Sequence, residues 1–325
     1  MTPAPPPPPD SEAGPVVGVV GLGNMGGGIA RSLVRAGFDV LVFDTRPEAV
    51  QSLADAGARP AGSLAALASE ASIISVVVVN DRQVEDVVAT VVEHGRPDTV
   101  VVVHSTILPT TVIDLARRAE EHQLVVIDAA VSGGSEKSEL GSLSLMIGGD
   151  EPTVKRCWPV FEAMGNELFH VGPVGSGVAV KLVNNLLSIA GYALQLEAMQ
   201  LAAAYGIDED MVTRVVTASQ GDSRGMRTWG RHDRIRRERQ AMDHVDITQF
   251  MTKDLHEATI AAGLAEVTLP LTAVAADILP AKMARRDREL AARPERPPIP
   301  RCDGCGQELA LPFRDEGRHP ECRIR

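Results

Sequence analysis

The sequence predicts an α/β domain built on a doubly wound parallel sheet, then an all-α domain, then a small cysteine-bearing tail. Three observations predict this. From Pro15 to about residue 172, short β-branched runs alternate with helical patterns, as repeated βα units do. Beyond Gly177 the strand patterns stop and long helical periodicities take over. After residue 292 the composition turns to proline, arginine and cysteine. The boundaries that follow are 1–14 for a Pro-rich arm, 15–175 for the sheet domain, 176–292 for the helical domain, and 293–325 for a linker and tail.

The elements follow in order. The start, Met1 to Ala4 and then Pro5 to Pro9, has no basic or apolar leader pattern. It reads as a disordered or polyproline II arm, and a cytoplasmic location is expected. Val16-Val17-Gly18-Val19-Val20 is a first strand, followed by a glycine turn, an amphipathic helix with Ile29, Leu33 and Val34, and a stop at Gly37. Val40-Leu41-Val42-Phe43 is a second strand. Residues 72–79, 99–103, 124–128 and 143–149 are further apolar runs, as buried parallel strands require. Helical patterns lie between them at 64–68, 83–93, 110–122 and 151–164. The helical domain reads as 178–205, 208–218, 247–264 and 271–292.

Composition bounds the function. The chain has 325 residues and a formal net charge of -11, which argues against general nucleic-acid or anionic-membrane binding. Aromatic content is 3%, so aliphatic side chains must fill the core. No apolar run reaches the roughly 18 to 20 residues that a membrane span needs.

The turn after the first strand is Gly21-Leu22-Gly23-Asn24-Met25-Gly26, and the second strand ends in Asp44. Strand, G-x-G-x-x-G, helix, strand and an acid about 20 residues on make a dinucleotide-binding unit. Gly21 permits the turn, Gly23 lets backbone approach a pyrophosphate, and Gly26 lets helix and strand pack. The helix N-terminus offers free N–H groups to phosphate. Asp44 can accept from both ribose hydroxyls of NAD and repels the 2′-phosphate of NADP. Arg46 weakens that argument, because it can pair with such a phosphate. A glycine turn without a ligand is the plain alternative.

Gly175-Ser176-Gly177-Val178-Ala179-Val180-Lys181-Leu182-Val183-Asn184-Asn185 names a chemistry. Lys181 and Asn185 are four apart, so on a helix they share a face. An ammonium and a carboxamide together suit proton transfer and hydrogen bonding at a hydroxyl or carbonyl. Gly177 lacks a side chain that would block a ligand. A surface lysine near a helix start is the alternative.

These motifs converge. Val19 to Gly26 resembles the cofactor signature of the β-hydroxyacid dehydrogenases, the 3-hydroxyisobutyrate dehydrogenase-like family. Asp128-Ala129-Ala130-Val131-Ser132-Gly133-Gly134 resembles its substrate motif, the 175–185 stretch its catalytic motif, and Lys253-Asp254-Leu255 its late motif near the nicotinamide. The resemblance implies a Rossmann domain, an all-helical domain, an active site in the cleft between them, and homodimers or homotetramers. It implies an NAD(P)-dependent oxidoreductase for a small carboxylate, a 3-hydroxy acid or its semialdehyde. Lys181 then resembles the general acid/base; Ser132, Gly133, Gly134 and Asn185 the substrate binders. Gly21, Leu22, Gly23, Asn24, Met25, Gly26, Asp44, Thr106 and Lys253 resemble the cofactor contacts, with Asp254 orienting Lys253.

The chain departs from the family at Ala130, where proline is usual, at His104, where an acid is common, and at Val79, where proline is frequent. These are expected at the rim of the site. The family's C-terminal segment is replaced by residues 282–325.

Two signals lie outside this frame. Cys302-x-x-Cys305 and His319-x-x-Cys322 have the spacing of a structural zinc set, Cys₃His, which would have to fold the tail by itself. A disordered reduced tail is the alternative. Arg224, Arg227, Arg231, Arg234, Arg236, Arg237 and Arg239 surround Trp229, and read as a solvated face or subunit contact rather than an anion site. A reading of another class also stands: a non-catalytic dinucleotide sensor whose zinc tail meets a partner.

Overall fold

The computed structural model describes residues 14–241 and 246–292. The chain divides into two compact units after Lys181.

The first unit is a single eight-stranded sheet. Its strands are β1 (Val17–Val20), β2 (Val40–Phe43), β3 (Arg59–Pro60), β4 (Ile73–Val76), β5 (Val100–Val103), β6 (Val125–Ser132), β7 (Leu143–Gly148) and β8 (Gly165–Gly172), in the order β3-β2-β1-β4-β5-β6-β7-β8. The order reverses at β1, which pairs with β2 on one side and β4 on the other. That reversal opens a crevice at the carboxyl ends of the strands, where open α/β sheets bind ligands.

Successive residues of the valine-rich strands feed opposite faces of the sheet. Val100 and Val102 join one core layer with Ile29 and Leu33 of helix α1 (Gly26–Arg35) and Phe161 of helix α7 (Glu151–Met164). Val101 and Val103 join the other with Leu67, Val84, Val88 and Leu115. Those come from α3 (Leu64–Glu70), α4 (Asp81–His94) and α5 (Pro109–Glu120). With both faces covered, uninterrupted valine runs are what the strands need.

Four elements of this unit were not legible as patterns: α2 (Pro47–Asp55), β3, α6 (Gly134–Glu139) and β8. β3 has only two residues. β8 is a largely exposed strand that pairs with β7 alone, so it lacks an apolar run. β7 lies antiparallel to β6, where repeated βα units led one to expect a parallel strand.

The second unit is helical. Helix α8 (Ser176–Asn185) runs through the division, continues through a π turn (Leu186–Ala190), and becomes α9 (Gly191–Ala204) without a break. Then come α10 (Glu209–Thr217), α11 (Arg224–Arg227), α12 (Arg231–Ala241), α13 (Ile247–Leu264) and α14 (Pro270–Ala291). Tyr192, Leu196, Met199, Trp229, Met251, Leu255, Leu279 and Met283 form its core.

One expectation is corrected here. The arginine cluster is not one solvated face: Arg236 is buried, bonded to Asp287, Asp246 and Thr248. Trp229 is buried too, donating from Nε1 to Glu209 at 2.8 Å beneath the Arg286 guanidinium. Arg286 reaches both Glu209 oxygens, at 2.6 and 2.9 Å, and Asp233 at 3.0 Å. Among the described residues one helix, Ser176–Ala204 with 29 residues and a stretch of mean hydropathy 1.3, is long and apolar enough to cross a membrane by length and composition alone, a test that the core helix of a globular domain also passes.

Candidate active site and cofactor loop

The glycines of the loop after β1 have distinct reasons to be glycine. Gly21 sits at φ 89°, and a Cβ there would lie 2.3 Å from the Val77 carbonyl oxygen. A Cβ on Gly26, at the start of α1, would lie 1.9 Å from the Gly21 carbonyl oxygen. Gly23 faces open space, with nothing within 4 Å of a built Cβ. Turn, packing and open backbone thus fall on the three positions the dinucleotide motif assigns them. Leu22, Gly23 and Asn24 line a cleft of about 260 Å³ with Arg31, Arg46 and Ser135.

Asp44, just beyond β2, is tied to this loop. Its Oδ2 accepts from the Leu22 N–H at 2.6 Å, while Arg46 donates from its backbone N–H, Nε and Nη2 at 2.9, 3.0 and 3.1 Å. Burial alone would raise its pKa; the Arg46 guanidinium and the two backbone donors outweigh that and hold the carboxyl below its usual range.

The loops after β4 and β5 are joined at the same strand ends. Ser105 Oγ accepts from the Val78 N–H at 2.9 Å. Asp81 accepts from the Leu108 N–H at 3.1 Å and from Thr111 Oγ1 at 2.6 Å. Thr106 is half-buried between these anchors. Ser132 closes β6, and Gly133 and Gly134 follow with φ of 149° and 79°, conformations that a side chain would strain.

Lys181 is half-buried on α8, one turn before Asn185. The start of that helix is held from β6. Asp128 Oδ1 accepts from the Gly175 N–H at 2.6 Å, and Oδ2 from the Val178 N–H at 2.7 Å. Gly177 therefore has a reason the sequence did not reveal: a Cβ there would lie 2.2 Å from the Met146 carbonyl oxygen and 2.7 Å from Asp128 Oδ2. It is glycine for contact with the sheet, whatever a ligand asks of it.

In the helical unit Asn185 Nδ2 donates to Asp254 Oδ2 at 2.7 Å. Lys253 Nζ lies 3.4 Å from Asp254 Oδ1 and donates to Glu257 Oε1 at 2.7 Å. Asp254 thus links Asn185 and Lys253. Glu257, one helical turn on, is the nearer partner of the lysine and was missed, though its i,i+4 spacing was readable.

Comparison with known proteins fits this arrangement. Residues 16–172 match the NAD-binding domain of 6-phosphogluconate dehydrogenase, and residues 175–292 match the NAD-binding domain of NADP-dependent 3-hydroxyisobutyrate dehydrogenase. An L-threonate dehydrogenase of Cupriavidus necator is 34% identical over 270 residues, covering 80% of this chain and 87% of the relative. An NAD-dependent L-serine dehydrogenase of Pseudomonas aeruginosa is 31% identical, covering 80% and 89%. A solved Mycobacterium tuberculosis 3-hydroxyisobutyrate dehydrogenase with L-serine has TM-score 0.74 and 27% identity, over 93% of this chain and 98% of its own.

The chain belongs to the β-hydroxyacid dehydrogenases.

In this member of an NAD(P)-dependent oxidoreductase family, two of the three positions expected at the rim of the site are buried. His104 is buried inside the sheet, its Nδ1 donating to the Ala129 carbonyl at 2.6 Å and its Nε2 accepting from Ser75 Oγ at 3.1 Å. Burial pushes its pKa down to about 4, so it is a neutral packing residue. Ala130 is buried in β6 opposite Met146. Only Val79 is exposed at a strand end. Cys302, Cys305, His319 and Cys322 lie outside the described residues, as does the Pro-rich arm up to residue 13. Among the described residues no group of three or more His, Cys, Asp or Glu can hold a metal ion.

Proposed function

We propose that this dehydrogenase oxidises a small 3-hydroxy acid of the 3-hydroxyisobutyrate kind, or reduces the matching semialdehyde, with Lys181 as general acid/base and NAD as the preferred cofactor. The observation that carries the reading is the mounting of α8: Lys181 and Asn185 sit on one helix whose first turn is bonded to β6, the strand that ends at Ser132 and the Gly133-Gly134 turn. The names of relatives support the substrate class. Threonate, serine and 3-hydroxyisobutyrate each carry a hydroxyl close to a carboxylate.

Gly21 to Gly26, Asp44, Thr106 and Lys253 would hold the cofactor, Asp44 through its ribose, and when bound it would supply the hydride acceptor or donor. The chain's own residues do the rest. The N–H groups of Ser132, Gly133 and Gly134 hold the substrate carboxylate, as backbone nests hold anions. Asn185 orients the substrate hydroxyl, itself oriented by Asp254. The neutral Lys181 amine takes the hydroxyl proton during oxidation, and the ammonium returns it to the carbonyl oxygen during reduction.

Lys181→Ala should lower turnover by about 10²-fold or more, the usual scale for loss of a general acid/base, with cofactor affinity nearly unchanged. Turnover close to that of the unaltered enzyme on a panel of 3-hydroxy acids would remove Lys181 from the role. The reading extends to a homo-oligomer, supported by exposed Leu187, Leu194 and Leu201 at seven-residue spacing along one helix. It also extends to one structural zinc in the tail, supported by the spacing of Cys302, Cys305, His319 and Cys322.

A further inference from the structure

Asp128 is fully buried near the middle of β6, and both of its carboxylate oxygens are spent on another segment. One oxygen takes the N–H of Gly175, in the loop that enters α8; the other takes the N–H of Val178, in the helix's first turn. The two donors are 47 and 50 residues away in sequence. First-turn N–H groups have no partner within their own helix, and the positive end of the helix dipole favours a carboxylate there. The surroundings are cut to fit this group. A Cβ on Gly148 would lie 2.5 Å from Oδ1, and one on Gly177 would lie 2.7 Å from Oδ2. Two glycines, one on β7 and one on α8, thus leave room for a carboxylate and nothing more.

We propose that Asp128 is the positioning residue for Lys181: its carboxylate clasps the entry of α8 at two points and so fixes the height and rotation of the helix that presents the amine. Lys181 lies three residues beyond Val178, about 4.5 Å along the axis, so no intervening flexible segment dilutes the constraint. A single hydrogen bond would leave the helix free to rotate about it. A clasp that joins both the loop and the helix does not. Burial drives the Asp128 carboxyl up to about 6, and the backbone donors hold it below what burial alone would give, as expected of a charge kept in place by N–H groups alone. The proposal rests on Lys181 being the general acid/base.

Asp128→Asn tests it. The amide keeps the shape, but its NH₂ must face one of the two N–H donors, so one arm of the clasp opens. The expected result is a fall in kcat of about 10- to 100-fold, the scale of a misplacement near 1 Å. NAD affinity, read by calorimetry, should stay within about twofold, since the glycine loop is untouched. A double-mutant cycle supplies the readout that a merely structural role would not move. In a Lys181→Ala background the same substitution should lower the residual rate no further, because it acts only through the lysine. An unchanged kcat in D128N, or an equal fall with and without Lys181, overturns the proposal. If D128N does not fold, Gly148→Ala serves: it crowds Oδ1 while leaving the carboxylate, and it should give a smaller kcat loss with the same dependence on Lys181. No loss there overturns the proposal as well. Near-normal turnover in Lys181→Ala alone would instead strike the assignment of the general acid/base, a separate outcome.

Discussion

Arg46 stands two residues from Asp44 and bonds it through backbone and guanidinium together. On our reading the pair sets how strictly the protein separates NAD from NADP. A bare carboxylate repels a 2′-phosphate; a carboxylate under a guanidinium repels it less, and the half-exposed guanidinium is free to turn toward the phosphate. Arg46→Ala should therefore raise the NAD-to-NADP ratio of kcat/KM by about three- to tenfold, a modest effect because the pair is reached by solvent. Steady-state kinetics with both cofactors checks this, and a ratio that stays put or moves toward NADP would show that Asp44 alone sets the preference. Asp44 and Arg46 were readable as residues. Their pairing was not, since proximity in sequence does not say which way two side chains turn. His104 shows the same limit more sharply. Its place next to Ser105 and Thr106 suggested the rim of the site, yet the chain turns it inward between Ser75 and the Ala129 carbonyl.

At the scale of elements, the helix from Ser176 to Ala204 has one side turned to α13 and α14 and another carrying exposed Val183, Leu187, Leu194 and Leu201. Leucines at seven-residue spacing form a continuous seam on a helix, the pattern that packs against another helix. On our reading the other helix belongs to a second copy of the chain. Leu194→Glu places a charge in the middle of that seam. It should shift the protein to monomer in sedimentation at micromolar concentration while leaving the helical signal of circular dichroism intact. If the variant and the unaltered protein sediment alike, the seam is not the contact. The helix itself was legible from periodicity across 178–205. The π turn at Leu186–Ala190 was not, because one extra residue in a turn shifts the apolar phase without breaking it.

At the scale of the whole molecule, the remaining question is the tail after residue 292. On our reading Cys302, Cys305, His319 and Cys322, with the spacing of a Cys₃His set, hold a structural zinc. Purified full-length protein should carry about one zinc per chain, and Cys302→Ser with Cys305→Ser should lose it while cofactor binding persists. Metal analysis that finds no zinc in the full-length protein would end the claim.

What the sequence determined by itself was the set of elements whose pattern is local. Valine runs marked buried strands, the glycine turn and Asp44 marked the cofactor unit, and Lys181 with Asn185 marked a helix face. These follow from periodicity and from backbone freedom at single positions, and both are written in consecutive residues. What only the tertiary structure decided was every relation between distant segments: β7 antiparallel to β6, Arg286 buried between Glu209 and Asp233, and Asp128 on the first turn of α8. The physical reason is common to all of them. A buried polar group must find a partner when water is removed, and which partner it finds depends on packing across tens of residues, not on its neighbours in the chain.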